Sequence, residues 1–119
     1  MSEKIVLVII HENMMSCPLC QAHLDEFLDR LYSAGLETSS ICVFVPSNPD
    51  RSPKILARRI RGFAMGNNIR FPVIIAGDEF ISENAFKDTD VIFINLKKKV
   101  LLKYRMPLSL DQWKELFSD

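Results

Sequence analysis

The chain has 119 residues, of which 48% are hydrophobic, and its 15 basic side chains balance its 15 acidic ones. A chain of this size can bury one core without disulfides or metal ions as staples, so we expect one globular domain over residues 1–119. The neutral balance provides no field to attract nucleic acid or an anionic membrane, and three cysteines exclude the full disulfide framework of a secreted mini-protein.

The first half of the chain predicts two strand and helix units. Ile5 to Ile10 is a continuous run of β-branched residues and leucine, which is typical of a central parallel strand covered on both faces. An amphipathic helix is predicted from Pro18 until Gly35 stops it. A second buried strand, Ile41 to Val45, precedes a second helix that has Pro53 in its first position.

The second half predicts a short strand, a short helix, an antiparallel hairpin and a terminal helix. These elements are Phe71 to Ala76, Asp78 to Phe86, and Val91 to Asn95 with Val100 to Arg105. The terminal helix opens on the capping box Ser109-Leu110-Asp111-Gln112 and carries Leu110, Trp113, Leu116 and Phe117. With right-handed crossovers, this order predicts an α/β/α three-layer sandwich around a mixed central sheet.

The location of the protein is predicted from its apolar runs. The longest run, Ile5 to Ile10, is too short to cross a bilayer, and its flanks do not resemble a signal peptide. We therefore expect no membrane span. The expected compartment is the cytoplasm as the sequence stands, or the periplasm if a leader has been removed.

Cys17 and Cys20 stand where the first strand turns into the first helix, the usual place of active sites in open α/β sheets. Cys17 would cap this helix, and Pro18 would fill its first position, where a missing N–H costs nothing. The positive end of the helix dipole stabilises a thiolate, so Cys17 is the predicted nucleophile. Cys20 lies one turn on, at the head of the apolar face, and is the predicted resolving thiol.

These positions predict thiol-disulfide exchange. The Cys17 thiolate attacks a substrate disulfide, a mixed disulfide forms, and Cys20 displaces the product and leaves a Cys17-Cys20 bond. The expected partners are a protein or small-molecule disulfide or dithiol and an unidentified redox protein, with no cofactor and no nucleic acid. The principal alternative is a redox-silent binding module for a protein or for a soft metal ion such as Cu(I) or Zn.

Metal binding would need ligands beyond the cysteine pair. For zinc, the further candidates are His11, His23 and Cys42, and for Cu(I) they are Met14, Met15 and His11. We expect no metal site, methionines that pack around the cysteines, Cys42 in the core and His23 on the helix surface. Peroxiredoxins have a hydroxyl residue three positions before the attacking cysteine, but this chain has Met14 there, so we do not expect a peroxidase.

The apolar first strand, Cys17-Pro18-Leu19-Cys20 at the start of a helix, and a strand with a helix between Phe71 and Phe86 before a hairpin form a recognisable series. With it, nearly the whole chain resembles the thioredoxin-like superfamily, and more closely its redoxin branch of TlpA-like thiol-disulfide oxidoreductases and AhpC/TSA relatives. The resemblance implies a thioredoxin-like sandwich with a redox-active CXXC pair.

The chain departs from this family at positions around the pair. Ser16 replaces a frequent Trp, and His11 stands where the family has a buried acid or amide. The resemblance places the loop of the family's cis-proline, which faces the cysteines and binds the substrate chain, at Thr89-Asp90, with Pro72 as the less favoured alternative. His11 either relays protons to Cys20 or, as we favour, is a hydrogen-bonded histidine at a strand end.

Overall fold

A computed structural model describes residues 3–47, 52–77 and 89–117 of the chain. The short helix predicted from Asp78 to Phe86 falls outside the described residues. Within them the chain forms five strands and three helices. In chain order these are β1 (Lys4–His11), α1 (Pro18–Ser33), β2 (Ser40–Val45), α2 (Pro53–Gly66), β3 (Val73–Ile75), β4 (Val91–Asn95), β5 (Val100–Tyr104) and α3 (Leu110–Phe117).

The strands form one mixed sheet in the order β3-β2-β1-β4-β5. β1 pairs in parallel with β2, and β2 with β3, while β4 runs antiparallel to both β1 and β5. At the centre of the sheet Val8 pairs with Cys42 on one side and with Val91 on the other. The α/β class, the mixed sheet and the C-terminal hairpin followed by a helix are confirmed.

The central strand is apolar along its length because both of its faces are buried. Val6, Val8 and Ile10 lie in the main core together with the inward residues of all three helices, among them Leu28, Leu56 and Leu116. On the opposite face Ile9 is also fully buried, in a second cluster with Val43, Ile92 and Ala76. Both faces of the three central strands are therefore buried, and the three described helices pack on the face that carries Val8.

The first helix ends as its sequence predicts. Gly35 adopts a positive φ of 71°, and its N–H donates to Tyr32 O at 3.0 Å, while the next N–H, of Leu36, donates to Leu31 O at 3.1 Å. This is a Schellman motif, in which a glycine without a Cβ takes the left-handed position. It fixes the point at which the chain turns back toward β2.

The third helix begins with the predicted capping box. Ser109 N–H donates to Gln112 Oε1 at 2.9 Å, and Gln112 N–H donates to Ser109 Oγ at 3.2 Å. Trp113 and Leu116 are buried, whereas Leu110 is 70% exposed and Phe117 is 38% exposed, so these two do not join the buried face of the helix. Leu110 is the first helical residue and lies away from the face that Trp113 buries against α1.

The two edges of the sheet are β3 and β5. β3 covers only Val73–Ile75, a shorter segment than the strand predicted from Phe71 to Ala76, and Ile74 is 52% exposed at this edge. β5 is the other edge, and Leu101 and Lys103 are exposed on one face of it. In the described residues, no helix combines the length and the apolar character needed to cross a bilayer.

Candidate active site

The cysteine pair lies at the start of α1, which follows β1 and a short 3-10 helix, Glu12–Ser16. Cys17 is the N-cap residue and Pro18 the first residue of the helix. Cys20 N–H donates to Cys17 Sγ at 3.2 Å, and Gln21 N–H donates to Cys17 O at 3.0 Å. One N–H group of the first turn of the helix, that of Cys20, thus points at the Cys17 sulfur.

Cys17 and Cys20 are joined by a disulfide bond, with their Cα atoms 5.2 Å apart. Both residues are half-buried, whereas Leu19 between them is 66% exposed. The turn before them is held by the Gln21 side chain, whose Nε2 donates to Met15 O. The pair therefore follows a hydrogen-bonded turn and remains partly exposed.

A cleft of about 220 Å³ opens beside Cys20. Its walls come from the end of β1 and the turn after it, from α1, from the segment before β4 and from the segment after β5. The lining residues are His11, Met14, Cys20, His23, Asp90, Arg105 and Met106. This volume lies below the roughly 300–1,000 Å³ of small-molecule pockets, so it suits one substrate side chain better than a whole cofactor.

The segment before β4 is fixed between β1 and β5. Asp90 O accepts from Ile9 N–H at 2.7 Å, and Asp90 N–H donates to Tyr104 O at 2.9 Å. The Asp90 carboxylate accepts Met106 N–H at 2.8 Å, and His11 Nε2 lies 3.3 Å from Thr89 O. The structure thus brings His11 and Asp90 to the cleft beside Cys20, with Thr89 bonded to His11 behind them.

Pro72, the less favoured position for the family's cis-proline loop, lies away from the cleft. Pro72 precedes the edge strand β3, is exposed, and its carbonyl accepts Cys42 N–H at 2.8 Å. It does not line the cleft, and the peptide bond before it is trans. Within the described residues the cis bond is Met106-Pro107, which sequence reasoning did not consider and which adjoins the cleft through Met106.

Comparison with known proteins identifies the fold of the chain. No protein-family model matches the chain, and no curated protein matches it. Among solved structures, StoA from Bacillus subtilis superimposes on 97% of this chain and 82% of its own with a TM-score of 0.59, at 20% sequence identity. The chain has a thioredoxin-like fold. At this identity the likeness concerns the fold.

Within the thioredoxin-like fold, His23 occupies a place that the sequence did not indicate. It was expected on the helix surface, but it is half-buried and lines the cleft one turn after Cys20. The error arises because the covering wall, Arg105 and Met106, comes from a segment far along the chain. Only the helical spacing of Cys20 and His23 could have signalled that they share a face.

A second residue missed from the sequence is Glu12, which directly follows β1 and is 7% exposed. Its carboxylate accepts from Ser47 N–H at 2.9 Å and Ser47 Oγ at 3.0 Å, and it forms an ion pair with Arg59 Nε at 2.7 Å. Glu12 therefore holds the turn before the cysteines to α2 and to the segment after β2. Glu12 stands between the polar residues His11 and Asn13, so the sequence gave no sign that it is buried.

Cys42, the third cysteine, is 1% exposed in the core and carries a free thiol. Burial raises the pKa of this thiol to about 12, because desolvation disfavours the thiolate. It is a core residue of the thioredoxin-like sheet, as predicted. In the described part of the chain, no three His, Cys, Asp or Glu residues cluster as metal ligands would.

Proposed function

We propose that this protein is a thiol-disulfide oxidoreductase of the redoxin type, related to the TlpA-like proteins, in which Cys17 is the nucleophile and Cys20 the resolving thiol. The thioredoxin-like fold and the Cys17-Cys20 disulfide support this proposal. The substrates are protein or small-molecule disulfides or dithiols, and a separate redox partner resets the pair.

The observation that carries the proposal is the hydrogen bond from Cys20 N–H to Cys17 Sγ at 3.2 Å, at the start of a 16-residue helix. A helix N-terminus carries roughly half a positive charge, and an N–H donor aimed at sulfur stabilises the thiolate further. Cys17 is thereby favoured as the attacking thiolate, and Cys20, one turn on, lies close enough to form the disulfide.

In the reductive direction the Cys17 thiolate attacks one sulfur of a substrate disulfide. A Cys17-substrate bond forms, and the other substrate sulfur leaves as a thiolate that takes up a proton. The Cys20 thiolate then attacks Cys17 Sγ, which closes the Cys17-Cys20 bond and releases the second substrate sulfur. The substrate gains two electrons and the protein loses two.

The loop at Thr89 and Asp90 is proposed to receive the substrate chain beside the cysteines. Asp90 lines the cleft with Cys20, and the backbone bonds of Asp90 to Ile9 and Tyr104 give the loop a fixed position. His11 supports the same loop through Thr89 O. Pro18 contributes by starting α1 directly after Cys17.

The experiment is a redox titration of the purified protein in glutathione buffers, read by thiol alkylation and mass spectrometry. We expect one two-electron transition that involves Cys17 and Cys20 and leaves Cys42 unchanged. Insulin reduction should require Cys17, so Cys17→Ser abolishes turnover, and Cys42→Ala serves as the matched cysteine control. A pair that stays reduced over the whole range, or turnover that survives Cys17→Ser, would refute the function.

The order of the two cysteines is tested by trapping. Cys20→Ser should accumulate a mixed disulfide between Cys17 and a small disulfide such as oxidised glutathione, whereas Cys17→Ser should not. The potential from the titration also indicates direction, since about −270 mV is typical of a reductant and about −120 mV of an oxidant. A potential typical of a reductant would favour a cytoplasmic location, and one typical of an oxidant would favour a periplasmic location.

A further inference from the structure

Resolution of the mixed disulfide requires the Cys20 thiol to lose its proton, because the thiolate is the attacking species. The first-turn N–H of Cys20 is donated to Cys17 Sγ at 3.2 Å, so this donor favours the Cys17 thiolate and gives no help to Cys20. Cys20 borders the cleft, where a side chain can accept its proton. Glu12, the buried acid nearby, does not line the cleft and is bound by Arg59 and Ser47.

Three cleft residues could act as bases: Asp90, His11 and His23. The Asp90 carboxylate accepts a hydrogen bond from Met106 N–H at 2.8 Å, and this bond fixes one wall of the cleft. His11 Nε2 lies 3.3 Å from Thr89 O, and a carbonyl oxygen can only accept, so Nε2 donates to the loop and this ring is held there, with only its Nδ1 left to accept a proton. His23 makes no side-chain hydrogen bond to the other described residues.

We propose that His23 accepts the proton of Cys20 during resolution; this rests on the proposed function. The Cys20 S–H proton moves to the free ring nitrogen of His23, and the Cys20 thiolate attacks Cys17 Sγ. The Cys17-Cys20 bond forms as the Cys17-substrate bond breaks, and the departing substrate thiolate takes the proton back from the imidazolium. Imidazole suits this step because histidine changes protonation near neutral pH.

Charged or titratable groups face His23 from every element that lines the cleft, and from α1 in a small crevice that His23 and Glu26 both line. Arg105 lies after β5, Asp90 before β4, His11 at the end of β1, and Glu26 on α1 itself. Arg105 favours a Cys20 thiolate through its positive charge. Glu26 is paired with Arg30 at 3.6 Å, which offsets part of its charge. The fixed charges therefore allow a thiolate-imidazolium pair in the cleft.

The test is a stopped-flow reaction of the reduced protein with dithiobis(nitrobenzoic acid) from about pH 5 to about pH 9, the range in which histidine and cysteine titrate. The first release of thionitrobenzoate reports attack by Cys17. The second release, which does not depend on reagent concentration, reports resolution by Cys20. For His23→Gln we expect the second phase at about pH 6.5 to slow roughly tenfold or more, while the first phase is unchanged.

Near about pH 9 the rates of His23→Gln and the unmodified protein should converge, because the thiol then ionises without help. Ala22→Gln, which puts the same amide side chain at the exposed position before His23 on α1, is the control, and it should keep the second phase within about threefold of the unmodified protein. Free imidazole should restore the second phase of His23→Ala.

An unchanged second phase in both His23 variants would overturn the proposal. So would an equal loss in Ala22→Gln, or a slowing of His23→Gln that is uniform across pH. A protein without any second phase in its unmodified form would instead refute the proposed function, and the redox titration would show this independently.

Discussion

Arg59 Nε lies 2.7 Å from Glu12 Oε2, and this ion pair connects the middle of α2 to the turn that leads into the cysteines. The Glu12 side chain is 6% exposed, whereas that of Arg59 is 47% exposed. A buried carboxylate depends on its partners, because the charge has lost its water. The pair therefore couples the geometry of the site turn to the packing of α2.

The substitution Arg59→Met should lower the free energy of unfolding by about 1–3 kcal/mol, since it takes the guanidinium partner away from the buried Glu12 carboxylate. The lower end applies if water reaches the half-exposed side of the pair. Urea unfolding measures the effect. Arg58→Met, an exposed neighbour on the same helix, is the matched control and should change stability by less than about 0.5 kcal/mol.

The double variant Glu12→Gln with Arg59→Met provides the counter-test. Removing the charge as well should recover part of the loss, because an amide can still accept the Ser47 N–H. If Arg59→Met and Arg58→Met are equally mild, the ion pair does not stabilise the fold.

Much of the fold was predictable because its signals are local. The continuous apolar run of β1, the glycine after α1 and the capping box of α3 each report on a few neighbouring residues. The position of Cys17 at the helix start follows in the same way from Pro18. These features need no knowledge of the rest of the chain.

The walls of the site could not be predicted because they depend on distant segments. Glu12 is buried by an arginine on another helix, and His23 is covered by the segment after β5. Leu110 has the spacing of a core residue but lies at the first position of a helix, where the chain is still leaving the surface. In each case the missing information is tertiary.

The Cys42 thiol should resist alkylation in the folded protein. Burial raises its pKa to about 12, so almost none of it is thiolate at about pH 8. In the reduced protein, iodoacetamide should label Cys17 and Cys20, and Cys42 only after denaturant is added. Mass spectrometry of peptides separates the sites, and labelling of Cys42 at the rate of Cys17 would contradict its placement in the core.

Tyr104 is predicted to make stability fall in alkali. Burial, and then the hydrogen bond to Glu115 at 2.7 Å and the Glu115 charge, raise the pKa of this phenol above its ordinary value of 10.0. The folded state therefore holds the proton after the unfolded chain has lost it. Its stabilising contribution is complete below about pH 10 and declines as pH rises above that value.

Absorbance near 295 nm should accordingly show Tyr104 ionising only as the protein unfolds. Tyr104→Phe should cost about 1 kcal/mol at neutral pH through the lost hydrogen bond, and it should flatten the alkaline decline. Tyr32→Phe is the control for a tyrosine outside this pair. An alkaline decline that Tyr104→Phe leaves unchanged would assign it to other groups.

Leu19 offers a way to change the Cys17 thiolate without disturbing the core, because it is 66% exposed in the first turn of α1. A charge at a helix N-terminus interacts with the first turn by about 0.3–1 kcal/mol at low ionic strength. Leu19→Lys should stabilise the thiolate and speed alkylation of Cys17 at about pH 6.5 by roughly twofold to fivefold, and Leu19→Glu should slow it similarly.

The same substitutions at Leu110, which is 70% exposed at the start of α3, form the matched control and should leave Cys17 unaffected. Added salt should shrink the difference between Leu19→Lys and Leu19→Glu, since screening acts on exposed charges. Equal alkylation rates in these two variants at low salt would mean that the start of α1 does not control the reactivity of Cys17.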